Sequence, residues 1–339
     1  MFEKINKRDR YQINDVVTEY DEDAVINTYG ENFKRIEFLG FDKIWERLQD
    51  MGKVQELGLN SLKISHFGKA GEIGKLCGNL RNLYLEKNLL RNWEQVFALG
   101  KELRNLEMLS ISFNNLELSP NWTERETLRS FNSEGETIPF KKDTLEYFPK
   151  LEKIVLIETN MTFKKLNQLI DYFPKVTELV LPNNQCNDFD EIEFEKYRNI
   201  DSLNLEANDI DTEQGHKLDA LTKLGKLEKL CIIKNNIKRI LCAEKFEKLT
   251  HLNISENNIS DGIILRDIRK MPNIESIRSM RNILNDVHTY RHLRQWVIAE
   301  LPTIDTYNGA KLKKLERKDS ELYIMRWGFH EYFRVAKEN

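Results

Sequence analysis

Few residues in this sequence have the type and spacing that chemistry requires, and none completes a reactive pattern. The segment GKAGEIGKL, residues 68–76, resembles a phosphate-binding loop. Such a loop needs a glycine five residues before its Gly-Lys pair and a serine or threonine after the pair. Lys69 and Leu76 occupy those places. We therefore expect a turn between a strand and a helix here.

Histidine and cysteine spacing gives no metal or redox site either. His288 and His292 share one helical face, but the intervening Thr-Tyr-Arg lacks the glutamate of a zinc peptidase. Cys231 could be a reactive thiol, yet the sequence places no cation beside it. The four cysteines contain no CxxC pair, which argues against a zinc knuckle or a disulfide framework. With no G-x-S-x-G motif, we expect no enzyme activity, no cofactor and no metal.

Composition limits the class of protein. The chain has 339 residues, of which 40% are hydrophobic and 32% charged, and its formal net charge is −3. This balance is typical of a folded, soluble chain without a global basic field for nucleic acid or anionic lipid. The sequence lacks the apolar run of a signal peptide and any apolar stretch near the ~18 residues that cross a bilayer. We expect a reducing, cytoplasmic location.

A repeated pattern dominates the sequence. The template L-x-x-L-x-L-x-x-N-x-L recurs nine times, at steps of 26, 26, 45, 25, 24, 27, 22 and 25 residues. Seven of these steps fall within the 20–29 residues of leucine-rich repeats. Leu62 and Thr159 replace the asparagine of position nine in two rungs. The rungs begin at Val54, Leu80, Leu106, Leu151, Val176, Ile200, Leu227, Leu249 and Ile274, and asparagine fills the ninth position at Asn88, Asn114, Asn184, Asn208, Asn235, Asn257 and Asn282.

The spacing has a physical explanation. Leu83 and Leu85 alternate as inward residues of a short strand do, and Leu80 and Leu90 close the core on either side. Stacked rungs bury these faces in a parallel sheet, and each asparagine can satisfy backbone groups where the chain bends away. Segments such as WEQVFALGKEL and FKKLNQLIDYF have helical spacing for the convex side. We predict an α/β leucine-rich-repeat solenoid, a horseshoe with a concave parallel sheet.

The repeats have predicted caps and one insertion. We assign residues 1–50 to an N-terminal segment and cap, 51–286 to the repeats, and 287–339 to C-terminal cap helices. The segment YRHLRQWVIAELPTIDTYNG predicts a helix that stops near Pro302 and a turn at Asn308-Gly309. The next helix, with Leu322, Met325, Phe329 and Phe333 at near-helical spacing, is a cap or a partner-binding helix. The insertion at 118–143 reads as a surface loop or a loop that grips a partner.

Outward positions of the predicted concave sheet are candidates for binding. Template positions three, five, seven and eight point away from the core, and few side chains at positions five and seven are charged. Several are apolar in the middle of the array, where Pro182 joins them. Contiguous exposed apolar side chains mark protein interfaces, although caps, the insertion or dimerisation could also cover them. The candidates are Tyr84, Met108, Phe113, Val155, Ile157, Val180, Ile233 and Arg278.

Several motifs resemble one known family. They are LGFDKI before the first rung, KAGEIG within it, KNLLRNW in the second, LEMLSISFNNL in the third, and LPTIDTYNGAKLKKLERKDSEL near the C-terminus. Together they resemble the leucine-rich-repeat region of tubulin-specific chaperone E, also called tubulin folding cofactor E, or its cofactor-E-like branch. The likeness covers residues 10–335. That family's CAP-Gly and ubiquitin-like domains are not recognisable before residue 10 or after residue 335.

The resemblance implies a chaperone of the cytoskeleton. It implies binding to α-tubulin and help in assembling or dissociating the αβ heterodimer with other tubulin folding cofactors. Alternatives are a cofactor-E-like scaffold on microtubules or axonemes and a substrate adaptor for an enzyme complex. These expectations come from the resemblance and not from the periodicity.

Overall fold

The computed structural model describes the backbone of residues 25–28, 32–35, 51–118, 127–129, 137–139, 147–212, 218–284 and 290–338, and the side chains of 51–118, 147–212, 218–284 and 291–327. The chain forms two compact units. Unit 1 comprises Met1–Glu152 with Tyr172–Lys175, and unit 2 comprises Lys153–Asp171 with Val176–Asn339.

Unit 1 contains a parallel sheet with one strand per rung. Strands β3, β4 and β5 pair in register, so that Leu57, Leu83 and Leu109 are aligned. Strands β1 and β2 form an antiparallel hairpin, as do β6 and β7. The elements are β1 (Val25–Thr28), β2 (Asn32–Arg35), β3 (Glu56–Gly58), α1 (Glu72–Cys77), β4 (Asn82–Tyr84), α2 (Trp93–Glu102), β5 (Met108–Ser110), β6 (Thr127–Arg129) and β7 (Thr137–Pro139).

Unit 2 has the same pattern within itself. Strands β8 to β14 are parallel, and β15 turns back antiparallel to β14. The elements are β8 (Lys153–Val155), α3 (Phe163–Leu166), β9 (Glu178–Val180), β10 (Ser202–Asn204), β11 (Lys229–Cys231), β12 (His251–Asn253), α4 (Ile263–Ile268), β13 (Ser276–Arg278), α5 (Tyr290–Glu300), β14 (Thr306–Tyr307), β15 (Ala310–Lys311) and α6 (Lys314–Glu338). One short strand per repeat confirms the predicted leucine-rich-repeat fold.

The asparagine of position nine joins neighbouring rungs. The Asn184 amide donates to the carbonyls of Leu156 and Leu181, at 2.6 and 3.0 Å, and its Oδ1 accepts from the N–H groups of Thr159 and Met161, both at 3.0 Å. All seven asparagines are buried. Since buried backbone groups need partners, this side chain supplies what the bending chain lacks. The role expected from the sequence is confirmed.

The residue before each ninth position has a left-handed backbone. All nine rungs share this feature, with φ between 52 and 59°, and none of the nine residues is glycine. A side chain in this region costs about 1–2 kcal/mol, so the buried leucines and the asparagine bonds must hold it. The nine residues are Ser61, Lys87, Phe113, Glu158, Asn183, Ala207, Lys234, Glu256 and Arg281.

An aromatic cluster fills the core of unit 1 behind helix α2. Phe97 lies 4.7 Å from the ring of Tyr172 and 5.9 Å from that of Tyr147. Phe148 packs on Phe173 at 5.5 Å. Gly100 of α2 faces this cluster, where a Cβ atom would lie 2.5 Å from Cε2 of Phe148. The glycine is therefore required by close packing.

The C-terminal elements follow the predicted order. Helix α5 ends at Glu300, before Pro302, and Asn308 and Gly309 form a turn with φ values of 52 and 82°. Arg317 of α6 donates to the carbonyls of Ile298 and Leu301, at 2.9 and 3.2 Å, and to that of Ile304. Because the last carbonyls of a helix lack partners within it, Arg317 stabilises the end of α5.

Of the other expectations, one differs from the structure and several concern residues that the structure does not describe. The segment FKKLNQLIDYF forms the short helix α3 and a separate 3₁₀ turn at Ile170–Tyr172, and not one continuous helix. Within the insertion at 118–143, strands β6 and β7 are described. Most of the N-terminal segment and cap assigned to residues 1–50, His288, and the side chains of Phe329 and Phe333 lie outside the described residues. The boundaries 1–50, 51–286 and 287–339 stay predictions.

Candidate protein-binding surface

An apolar group lies on the strand face of unit 2, by which we mean the side chains at template positions three, five, seven and eight. Val155 of β8 and Val180 of β9 are paired in register, so their backbones lie about 5 Å apart. Ile157 follows two residues after Val155 on the same face. All three side chains are half-buried. We call these three residues the valine patch.

Strand β10 separates the valine patch from the other predicted apolar residue of this unit. At positions five and seven its rung carries Asn204 and Glu206, both half-buried. Ile233 follows β11 and is three strand spacings, about 14 Å, from Ile157. Arg278 of β13 is exposed and lies five spacings, about 24 Å, from Val155. The structure does not bring Ile233 and Arg278 to the patch.

Pro182 departs from the sequence prediction. The template makes it an outward residue of the apolar zone, but the structure buries it. Its carbonyl accepts from the N–H of Glu158 at 3.1 Å, and it also accepts from the Asn184 amide at 3.0 Å. Ile157, at the same template position of the preceding rung, is half-buried, so the burial of Pro182 is particular to its own rung. Pro182 is therefore no part of the valine patch.

Charged side chains border the valine patch at position three. Lys153 Nζ and Glu178 Oε1 form an ion pair of 2.7 Å on the same two strands. An exposed pair of this kind contributes about 0–1 kcal/mol to stability. An apolar centre with a polar rim is the usual anatomy of a protein interface. The sequence interpretation passed over this pair because it examined positions five and seven; reading position three would have found it.

The strand face of unit 1 is more polar. Tyr84 of β4 is half-buried, and burial, followed by the charges of Glu56 and Glu86, raises its pKa. Glu86 also accepts a hydrogen bond of 2.7 Å from the hydroxyl of Ser110. Met108 of β5 is half-buried at position three. The two carboxylates beside Tyr84 are a feature that the sequence interpretation missed.

Phe113, the remaining predicted residue of unit 1, follows β5. Its ring is half-buried, and Nζ of Lys87 lies 5.1 Å from the ring centroid. This distance permits a cation–π interaction of about 0.5–1 kcal/mol at an exposed site. Phe113 therefore pairs with a cation of the preceding rung.

A polar groove lies at the other end of the strands of unit 1. Its volume is about 410 Å³. Arg81 pairs with Glu107 at 3.0 Å, and Nζ of Lys150 donates to Oδ1 of Asn105 at 2.7 Å. Arg81 and Lys150 therefore bind residues of the groove itself. The lining residues are Lys53, Gln55, Asn79, Arg81, Asn105, Glu107 and Lys150.

The described residues have no arrangement for metal or thiol chemistry. Within them, no group of three or more His, Cys, Asp and Glu side chains could hold a metal ion. Burial raises the pKa of Cys231, which keeps this half-buried thiol protonated. All four cysteines lie in the described ranges, and no disulfide joins them. In the same ranges, no helix combines the length and apolarity that crossing a bilayer demands.

Known proteins of similar sequence share one kind of name. The chain is 26% identical over 327 residues to tubulin-specific chaperone E from Homo sapiens, which covers 93% of this chain and 56% of that protein. It is 26% identical over 331 residues to tubulin-folding cofactor E from Arabidopsis thaliana, covering 94% and 58%. The resemblance to tubulin-specific chaperone E is confirmed. No protein-family model matches the sequence.

A further relative is also similar, and the similarity covers only part of each relative's length. Tubulin-specific chaperone cofactor E-like protein from Homo sapiens is 24% identical over 280 residues, covering 80% of this chain and 60% of that protein. The chain spans a little over half the length of these curated relatives. Among solved structures, human 5T4 superposes with a TM-score of 0.49 at 14% sequence identity. The superposition covers 74% of this chain and 84% of that one.

Proposed function

We propose that this chain is the repeat module of a tubulin-folding cofactor that binds α-tubulin and assists assembly or dissociation of the αβ heterodimer with other folding cofactors. The function is binding in the cytoplasm, without a chemical step. The observation that carries the proposal is the similarity to proteins named tubulin-specific chaperone E over 93% of this chain.

The valine patch supports a protein partner. Val155, Val180 and Ile157 stand on a face that folding does not require to be apolar, and they are only half-buried. Burying an apolar side chain of this size contributes about 1.5–3 kcal/mol when it is fully removed from water. The parallel sheet holds the three side chains in place before binding, which lowers the entropic cost of association.

Size-exclusion chromatography of this chain with purified αβ-tubulin tests the proposal. Co-elution of both proteins at a volume earlier than that of either alone is the expected result. Separate elution at micromolar concentrations would refute tubulin binding by this module. Bovine serum albumin in place of tubulin is the control for non-specific association.

The second candidate function is a scaffold on microtubules or axonemes. The similarity to cofactor E-like protein, which covers 80% of this chain, favours it. Co-sedimentation with polymerised microtubules separates the two. A cofactor that handles dimers stays in the supernatant with soluble tubulin, whereas a lattice scaffold pellets with the polymer.

A further inference from the structure

Helix α6 carries an exposed apolar stripe on one side. Leu315 is 69% exposed, Leu322 40% and Met325 56%. They are spaced by seven and three residues, which matches positions a, a and d of a heptad. Lys318 occupies the intervening d position, and the sequence places Phe329 at the next a position. We call Leu315, Leu322 and Met325 the heptad stripe.

The opposite side of α6 is the one that packs on α5. Glu316 Oε1 accepts from Nε of Arg294 at 2.7 Å, and Ser320 is buried. Further along, the rings of Tyr323 and Trp327 lie 5.8 and 5.1 Å from the ring of His292, and they remain 37% and 45% exposed. At 100° per residue, these packed residues face away from the heptad stripe. The cap function of α6 therefore does not use the stripe.

The charges that flank the stripe are complementary to a second copy of the same helix. With Leu322 at position a, Glu321 is at position g and Arg326 at position e, and both are exposed. In a parallel two-stranded coiled coil, each g residue faces the e residue five positions later on the partner helix. Glu321 would then face Arg326 of the second copy.

The preceding heptad repeats this complementarity with the signs exchanged. Lys314 is at position g and Asp319 at position e, five residues later, and both are exposed. Residues five apart do not meet within one helix, so each of these two pairs can form only between helices. Two matched pairs beside one apolar stripe select a partner that carries the same sequence.

We propose that the chain forms a homodimer through the heptad stripes of two α6 helices, which associate as a parallel two-stranded coiled coil. The short seam, with Lys318 in its centre, makes the association reversible. A polar residue at one core position also sets the register of such a pair. The proposal is independent of tubulin binding.

Sedimentation velocity of the whole chain tests the proposal, with dimer expected at about 100 µM. The single reversals Glu321→Arg and Arg326→Glu each place like charges across the seam and raise the dissociation constant by about tenfold. An equimolar mixture of the two variants restores the dimer, because each position g of one variant then faces a position e of opposite charge on the other. The double variant Glu321→Arg with Arg326→Glu also dimerises alone.

Control variants separate this result from general effects of charge. Lys311→Glu reverses an exposed charge on β15, outside the helix, and leaves the dimer unchanged. A wild-type chain that remains monomeric at about 100 µM overturns the proposal. A dimer that the single reversals do not weaken also overturns it. A dimer that the mixture does not restore overturns the parallel arrangement, because in an antiparallel pair Lys314 would face Glu321 instead.

Discussion

Arg239 and Asp267, 28 residues apart in the chain, form a two-pronged ion pair. Nε and Nη2 of Arg239 donate to the two carboxylate oxygens of Asp267, at 2.6 and 3.0 Å. The N–H of Ile240 adds a third bond, 3.1 Å long, to the same carboxylate. Asp267 is 2% exposed. The pair anchors helix α4 to the loop of the preceding rung.

Because of this pair, we expect the free energy of unfolding to depend on pH. Burial of Asp267 favours the neutral form, but the bonds from Arg239 and Ile240 outweigh it and lower the pKa of the carboxyl below 3.8. A lowered pKa stabilises the fold above the unfolded-state value, and this contribution is lost as pH falls through the folded-state value. Asp267→Asn should reduce the free energy of unfolding by about 1–3 kcal/mol at neutral pH.

Urea unfolding at a series of pH values measures this effect. The difference between the wild-type chain and Asp267→Asn should shrink as pH falls below 3.8. Asp190→Asn, at an exposed position outside α4 and its loop, is the control for general charge removal. A difference that stays constant from neutral to acidic pH would contradict a role for the ionised carboxylate.

The asparagine ladder predicts a large loss from a small substitution. Asn184→Ala removes the bonds that Oδ1 accepts from the N–H groups of Thr159 and Met161 and leaves these two buried donors without a partner. The carbonyls of Leu156 and Leu181 keep one bond each, from Thr159 Oγ1 and from the Asn208 amide. The expected loss in free energy of unfolding is about 2–4 kcal/mol. The neighbouring Gln185→Ala changes an exposed side chain and should stay within about 0.5 kcal/mol. Equal urea midpoints for the two variants would disprove the role of the amide.

Close packing at helix α2 predicts that a helix-favouring substitution destabilises the protein. Alanine is better than glycine in a helix by about 1 kcal/mol. At Gly100 its methyl group would overlap the ring of Phe148, at a cost of about 1–3 kcal/mol. Gly100→Ala should therefore lower the melting temperature. Gly225→Ala, where nothing lies within 4 Å of the new Cβ, should not. A stabilised Gly100→Ala variant would show that the ring moves aside freely.

The valine patch makes the proposed function testable at the level of residues. Val155→Asp combined with Val180→Asp places two charges at adjacent outward positions and should abolish co-elution with tubulin, because a charge buried without a partner is costly. The thermal melt should change little, since both side chains are already partly in water. Gln168→Asp, an exposed site outside the sheet, is the matched control and should retain binding.

Ile233→Asp distinguishes a local patch from a longer binding surface. Ile233 lies about 14 Å from Ile157, beyond the polar side chains of β10. Unchanged tubulin binding in this variant would confine the contact to the valine patch, and weakened binding would extend it across β10. If both this variant and the double valine variant bind tubulin normally in a pull-down, the strand face of unit 2 is not the binding surface.

The repeats were readable from the sequence because their determinants are local. Leu83 and Leu85 both face the core, with Tyr84 outward between them, and the asparagine at position nine follows at a constant distance. The helices at residues 93–102 and 290–300 also follow from spacing and from Pro302. These features require only that each rung bury its own leucines against the next.

Contacts between rungs had to come from the tertiary structure. Val155 and Val180 are 25 residues apart and become neighbours through strand register. Asn204 and Glu206 interrupt the apolar face for the same reason, and Pro182 is buried although Ile157 at the same template position is not. The sequence by itself determined the period, the strands and the asparagine bonds. Which outward side chains touch depends on register across about 25 residues of intervening chain, and only the folded backbone decides that.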